Sequence, residues 1–230
     1  MKTAGMIGGL GPESTIDYYR SIVALYRQKV GDGYPPLIIN SLDVEKALRL
    51  LGANDFEQLA EYFGEAFRQL AEAGADFGFV SANTPHVVFD EVQRRSPIPL
   101  ISIVEATCDE VTRRGLQTVS LLGTRYTMSG RFYPEVFEKH SVRLVVPSAE
   151  EQADIHDRYV NQLIKGVFLP ETRARLQEII ATEVARDRVE GVILAGTELP
   201  LILKDEAIAG VPLLDTTQVH VKAVVAELLS

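Results

Sequence analysis

The chain of 230 residues holds a single cysteine, Cys108, and only four histidines. One thiol excludes an internal disulfide and any cysteine-based metal cluster. No two histidines stand at metal-ligand spacing, so no metal is expected, and no other cofactor is called for. Positive charge is in deficit: 23 Lys and Arg against 32 Asp and Glu give a net charge of −9 and a pI near 5.0. That leaves no basic face broad enough for a nucleic-acid backbone. Long apolar runs are missing too, the longest being strand-length, as in Val192-Ile193-Leu194, far short of a membrane span. The N-terminus enters a strand-like run at once, without a signal-peptide pattern. Low-complexity tracts and Ser- or Pro-rich linkers are absent. The expectation is a soluble cytoplasmic protein with neither a nucleic-acid nor a membrane partner.

What is present is ordinary globular composition, 46% hydrophobic and 24% charged. Short apolar runs alternate with amphipathic stretches. Strands are expected over 3–7, 37–41, 77–81, 100–101, 119–122, 143–145, 191–194 and 213–214. Helices are expected over 14–30, 55–73, 85–95, 103–114, 130–140, 152–168, 171–188 and 217–229. In the second of these, Leu59, Tyr62, Phe63, Ala66, Phe67 and Leu70 recur at three- and four-residue spacing, which buries one helix face. Such alternation predicts an α/β fold with parallel sheets and crossover helices.

The chain also repeats itself. Gly8 with Tyr18 matches Gly123 with Tyr133 at an offset of 115, Ala82 matches Gly196 at 114, and Ile98-Pro99-Leu100-Ile101 matches Val211-Pro212-Leu213-Leu214 at 113. Three blocks near one offset predict two similar α/β units. The expected division is 1–101 plus 212–230 for the first and 102–211 for the second. Ligands of open parallel sheets sit at the carboxyl ends of strands. The loops there are Ser81-Ala82-Asn83-Thr84-Pro85-His86 and Ala195-Gly196-Thr197-Glu198, expected to face one cleft and to offer free N–H groups to a small carboxylate.

Gly8-Gly9-Leu10-Gly11-Pro12-Glu13-Ser14 lacks the third glycine of a dinucleotide fingerprint and the lysine of a phosphate loop. It reads as a turn and cap opening a helix. Thr124 and Thr127 are short hydroxyl donors in the corresponding second-half turn, although threonine is also a routine helix cap. His86 fits either a proton-transfer or ligand-holding role or a backbone-bonded core histidine. Glu198 suits a substrate amino group, a general base or a helix N-terminus. Lys165 interrupts an apolar stretch and suits a second ligand carboxylate, or else solvent. Cys108 reads as core filler.

With these motifs in view, the sequence resembles the aspartate/glutamate racemase family of the Asp/Glu/hydantoin racemase superfamily. The resemblance rests on Ile7–Thr15 with Tyr18-Tyr19, Asn83-Thr84-Pro85-His86, Leu121–Met128 with Phe132-Tyr133, and Gly196-Thr197-Glu198-Leu199. It implies two Rossmann-like domains related by pseudo-twofold symmetry, a homodimer, and cofactor-independent (PLP-independent) racemisation of an acidic amino acid by a pair of cysteines. One cysteine precedes the Asn-Thr and the other the Thr-Glu. Here those positions are Ala82 and Gly196, which carry no proton-transfer group. The ligand shell implied is Ser14, Asn83, Thr84, Thr124, Thr127, Lys165, Thr197 and Glu198, with His86, Thr84 or Glu198 as substitute acid–base groups. Relatives often carry an arginine near the second strand's end, where this chain has Asp43-Val44-Glu45-Lys46. Three readings follow: a racemase-family protein with impaired two-thiol chemistry, a lyase or decarboxylase using another acid–base group, and a silent binder of an amino acid or dicarboxylate.

Overall fold

Five successive residues without a polar side chain, Ala4–Gly8 (β1), are all buried, as a strand covered on both faces requires. In the computed structural model, which describes residues 1–230, β1 lies inside a four-stranded sheet. The chain continues through α1 (Pro12–Val30), β2 (Leu37–Ser41), α2 (Val44–Gly52), α3 (Phe56–Glu72) and β3 (Phe77–Val80). A 3-10 turn (Thr84–Val88), α4 (Phe89–Arg95) and β4 (Leu100–Ile101) follow. The strand order is β2-β1-β3-β4, with every pair parallel.

The second sheet is built from α5 (Ile103–Arg113), β5 (Thr118–Gly123), α6 (Arg125–Ser129), α7 (Phe132–Lys139), β6 (Arg143–Val145) and α8 (Ala149–Asn161). After a 3-10 turn (Leu163–Lys165) come α9 (Pro170–Asp187), β7 (Gly191–Ala195), α10 (Leu199–Ile202), β8 (Ala207–Ile208), β9 (Val211–Asp215) and α11 (Thr216–Leu228). Its order is β6-β5-β7-β9-β8, parallel except that β8 runs antiparallel to β9. The α/β fold with parallel sheets is therefore as expected.

Contacts divide the chain into Met1–Ile103 with His220–Ser230 and Val104–Val219. The helix that follows the last parallel strand of each sheet packs in the other unit. Thus α5 lies in the second, and most of α11 in the first, where Val221, Val224, Val225 and Leu228 join Ala4, Met6, Tyr18 and Phe79 in one core. The sequence-based division at 211/212 differs by one strand. Because β9 takes its hydrogen bonds from β7, residues 212–215 belong to the second sheet.

Other differences have local causes. The expected helix over 130–140 starts at Phe132 as α7, because Gly130 adopts extended backbone, and a short helix that was not expected, α6, precedes it. The one over 152–168 ends at Asn161, and Gly166 then turns the chain with a left-handed φ of 73°. The expected start of α8 moves to Ser148, which forms a capping box with Glu151. Helix α2 was not expected at all: Asp43 caps it, accepting from the Glu45 and Lys46 N–H groups, and only Ala47 and Leu51 are buried. No helix is long and apolar enough to cross a membrane.

Candidate functional site

In each sheet the chain reverses its direction of strand addition once, between β1 and β3 and between β5 and β7. Such switch points open a crevice at the carboxyl ends of the two central strands. The loops after β1 and β3 and the helical turns they lead into carry Ser14, Ala82, Asn83, Thr84 and His86, and those after β5 and β7 carry Thr124, Thr127, Gly196, Thr197 and Glu198. The residues singled out by sequence therefore gather at the switch point of their own sheet, with one exception. Lys165 lies exposed on the 3-10 turn after α8.

At the first switch point, Gly9 takes a φ of 79°, and a Cβ there would meet the Leu42 carbonyl oxygen at 2.4 Å. Only glycine fits this turn. The Gly9 N–H donates to Thr15 Oγ1 across 2.9 Å. Ser14 Oγ donates to the Ser81 carbonyl at 2.7 Å, and Ser81 Oγ to the Ile7 carbonyl at 3.1 Å, so hydroxyls stitch the two loops together. Asn83 is buried and Thr84 half-buried beside them.

His86 is 2% exposed and stacks on Phe89 with ring centroids 4.8 Å apart. The Ile103 N–H donates to its Nε2 at 3.2 Å, which makes Nε2 the unprotonated nitrogen. Its Nδ1–H then donates to the Asn83 carbonyl, also at 3.2 Å. Burial lowers its pKa to about 3, with the neighbouring His220 adding to the fall. Both nitrogens of a neutral ring are committed to backbone, and the ring fixes the loop that presents Asn83 and Thr84.

At the second switch point, Thr124 caps α6: its Oγ1 accepts from the Thr127 N–H at 3.3 Å and lies 3.2 Å from Thr127 Oγ1. Glu198 is 6% exposed, and Thr197 Oγ1 donates to its Oε2 at 2.9 Å. The hydroxyl of Tyr159, on α8, donates to the same oxygen. Tyr159 is 4% exposed, and burial raises its pKa well above the ordinary phenol value, with Glu198 adding to the rise. Sequence reasoning did not single out Tyr159. Its only trace was glycine at 196, since a residue without a side chain after a buried strand marks a close approach.

Cys108 is fully buried in α5 beside Val104 and Val111. Burial pushes its pKa up to about 11, so the thiol stays protonated. Asp43 spends its carboxylate on capping α2, while the Lys46 ammonium lies 4.1 Å from the centre of the Tyr62 ring.

The Asp/Glu/Hydantoin racemase family matches residues 7–224. The broad specificity amino-acid racemase RacX of Bacillus subtilis (strain 168) is 26% identical over 233 residues, covering 98% of each chain. An aspartate racemase homologue from Pyrococcus horikoshii OT3, of known crystal structure, is 33% identical and superposes with a TM-score of 0.86 over 100% of both chains. The aspartate racemase of Picrophilus torridus shares the fold at a TM-score of 0.78 and 21% identity, over 99% of this chain and 94% of its own. With its fold shared and residues 7–224 matched in this way, the chain belongs to the Asp/Glu/hydantoin racemase family.

Proposed function

We propose that this racemase-family protein takes a small acidic amino acid or dicarboxylate at its strand-end loops and does not move protons by the two-thiol route. The observation that carries the reading is the state of the sulfur. The only thiol, Cys108, is buried within a helix and kept protonated, while Ala82 and Gly196 stand where the resemblance expects the reacting pair. Removing the α-proton of an amino acid needs acid and base groups held close to the carbon in the right protonation states. An alanine and a glycine supply neither.

The ligand shell remains polar. In this reading Asn83, Thr84, Thr124 and the loop N–H groups hold carboxylate oxygens, while Ser14, which gives its one hydroxyl proton to the Ser81 carbonyl, and the fully buried Thr127 brace the loops from behind. Glu198 takes the ammonium, with Thr197 bracing it. Two facts support a ligand class wider than aspartate. RacX is named for broad specificity. Asp43 and Lys46, at the end of the second strand, are engaged with the α2 N-terminus and the Tyr62 ring.

The reading is tested by thermal melts with single enantiomers of aspartate, glutamate and their amides, combined with chiral analysis of each mixture. Saturable stabilisation without loss of optical purity is expected. Racemisation at enzymic rates would refute the loss of two-thiol chemistry. Release of carbon dioxide or ammonia would assign the protein to the lyases instead.

A further inference from the structure

Position 196 and the ring of Tyr159 compete for one volume. A Cβ built on Gly196 would lie 2.6 Å from both Cε2 and Oη of Tyr159 and 2.9 Å from its Cζ. No real Cβ tolerates such contacts, so the backbone at 196 runs directly against the phenol. The ring has little room to yield. It belongs to the buried cluster of Leu122, Met128, Ile155 and Leu163, and its hydroxyl is tied to Glu198. Tyr159 thus stands where a side chain at residue 196 would project.

The same phenol organises the carboxylate next to it. The Tyr159 and Thr197 hydroxyls both donate to Oε2 of Glu198. Two hydroxyl donors on one oxygen fix the plane of the carboxylate. They leave Oε1 as the acceptor open to a ligand. A fixed, nearly buried carboxylate of this kind is suited to an ammonium group.

We propose that Tyr159 is the specificity-determining and positioning residue of the β7 strand end: it excludes any side chain at 196 and holds Glu198 ready for the ammonium of an amino-acid ligand. The second half of this statement rests on the ligand class proposed above, whereas the first stands without it. The step is one of binding alone, with no bond formed or broken.

Two measurements test it. In the first, thermal midpoints are compared for the natural protein, Gly196→Ala, Tyr159→Leu and the double variant. Overpacking of a held ring should lower the midpoint of Gly196→Ala by roughly 2–10 °C. In the Tyr159→Leu background the same change should cost little or nothing. In the second, calorimetric titration compares aspartate and glutamate with succinate and glutarate, which lack the amino group. Tyr159→Phe keeps the ring and removes the hydroxyl. It should weaken the two amino acids about tenfold, the worth of one charge-assisted hydrogen bond, and leave the two diacids unchanged. A merely structural role would weaken all four alike and overturn the assignment. So would a Gly196→Ala variant as stable as the natural protein with Tyr159 in place. If none of the four ligands binds the natural protein, the proposed ligand class fails, and the coupling between 159 and 196 still decides whether Tyr159 holds that volume.

Discussion

The Tyr18 hydroxyl donates to Nδ1 of His220 across 2.9 Å, and His220 passes its own Nε2–H to the Ile101 carbonyl at 3.1 Å. This buried chain ties α1 through α11 to the end of β4. The imidazole is edge-on to both the Tyr18 and the Phe79 rings, so its two nitrogens and its faces are all engaged. Tyr133, at the matching position of the second unit, bonds instead to the Thr107 side chain.

Tyr18→Phe removes the donor and leaves a buried imidazole nitrogen without a partner. Stability should fall by about 1–3 kcal/mol, read from the urea midpoint. Tyr18→Phe combined with His220→Leu should cost less than the sum of the two single changes, because the orphaned acceptor is gone.

Acid should unfold the protein through its histidines. Burial lowers His86 to about 3 and His220 to about 4 from an ordinary value near 6.5. Between those limits the unfolded chain binds protons that the native one refuses, so stability rises with pH up to about 6.5 and is lost as pH falls below it. Denaturant melts at pH 7, 6 and 5 should show a progressive loss, reduced in His220→Gln. A flat profile in the natural protein would contradict the neutral, buried state of both rings.

Glu183 acts in the opposite sense. It lies on α9 with no exposed surface, its Oε2 accepts from Ser120 Oγ at 2.7 Å, and its Oε1 has no partner. Burial raises its pKa to about 7, against the smaller lowering from Ser120. Here the native state holds a proton that the unfolded state releases above about 4.5, so stability contributed by the neutral acid is lost as pH rises through 7. Glu183→Gln keeps a partner for Ser120 and removes the charge. It should stabilise the protein at pH 8 by about 1–3 kcal/mol and do little at pH 5.

Much of the scaffold was legible from local pattern. Strands β1, β3 and β7 are unbroken small or apolar runs bounded by turn residues, and α3 announces itself through Leu59, Phe63, Ala66, Phe67 and Leu70, all of them buried. The loops at residues 82–86 and 196–198 could be placed because a strand end followed by Thr or Asn is a local signal. What escaped depended on partners distant in the chain. Helix α2 has only two buried residues to mark it, and β8 exists because β9 offers it an edge. For His86 the sequence left two roles open, and the Ile103 N–H, which occupies its second nitrogen, comes from beyond β4. Tyr159 was invisible as a site residue because a tyrosine on the buried face of a helix looks like core until the strand it abuts is known.

Solvent-hydrogen exchange at the ligand α-carbon tests the central claim most directly. The natural protein and Cys108→Ala are incubated in deuterium oxide with each enantiomer of aspartate and glutamate, and α-deuteration is followed by proton NMR. Equal rates in the two proteins, neither lowered by a thiol-alkylating reagent, are predicted. Exchange by the natural protein that vanishes with Cys108→Ala would show that sulfur moves the proton after all.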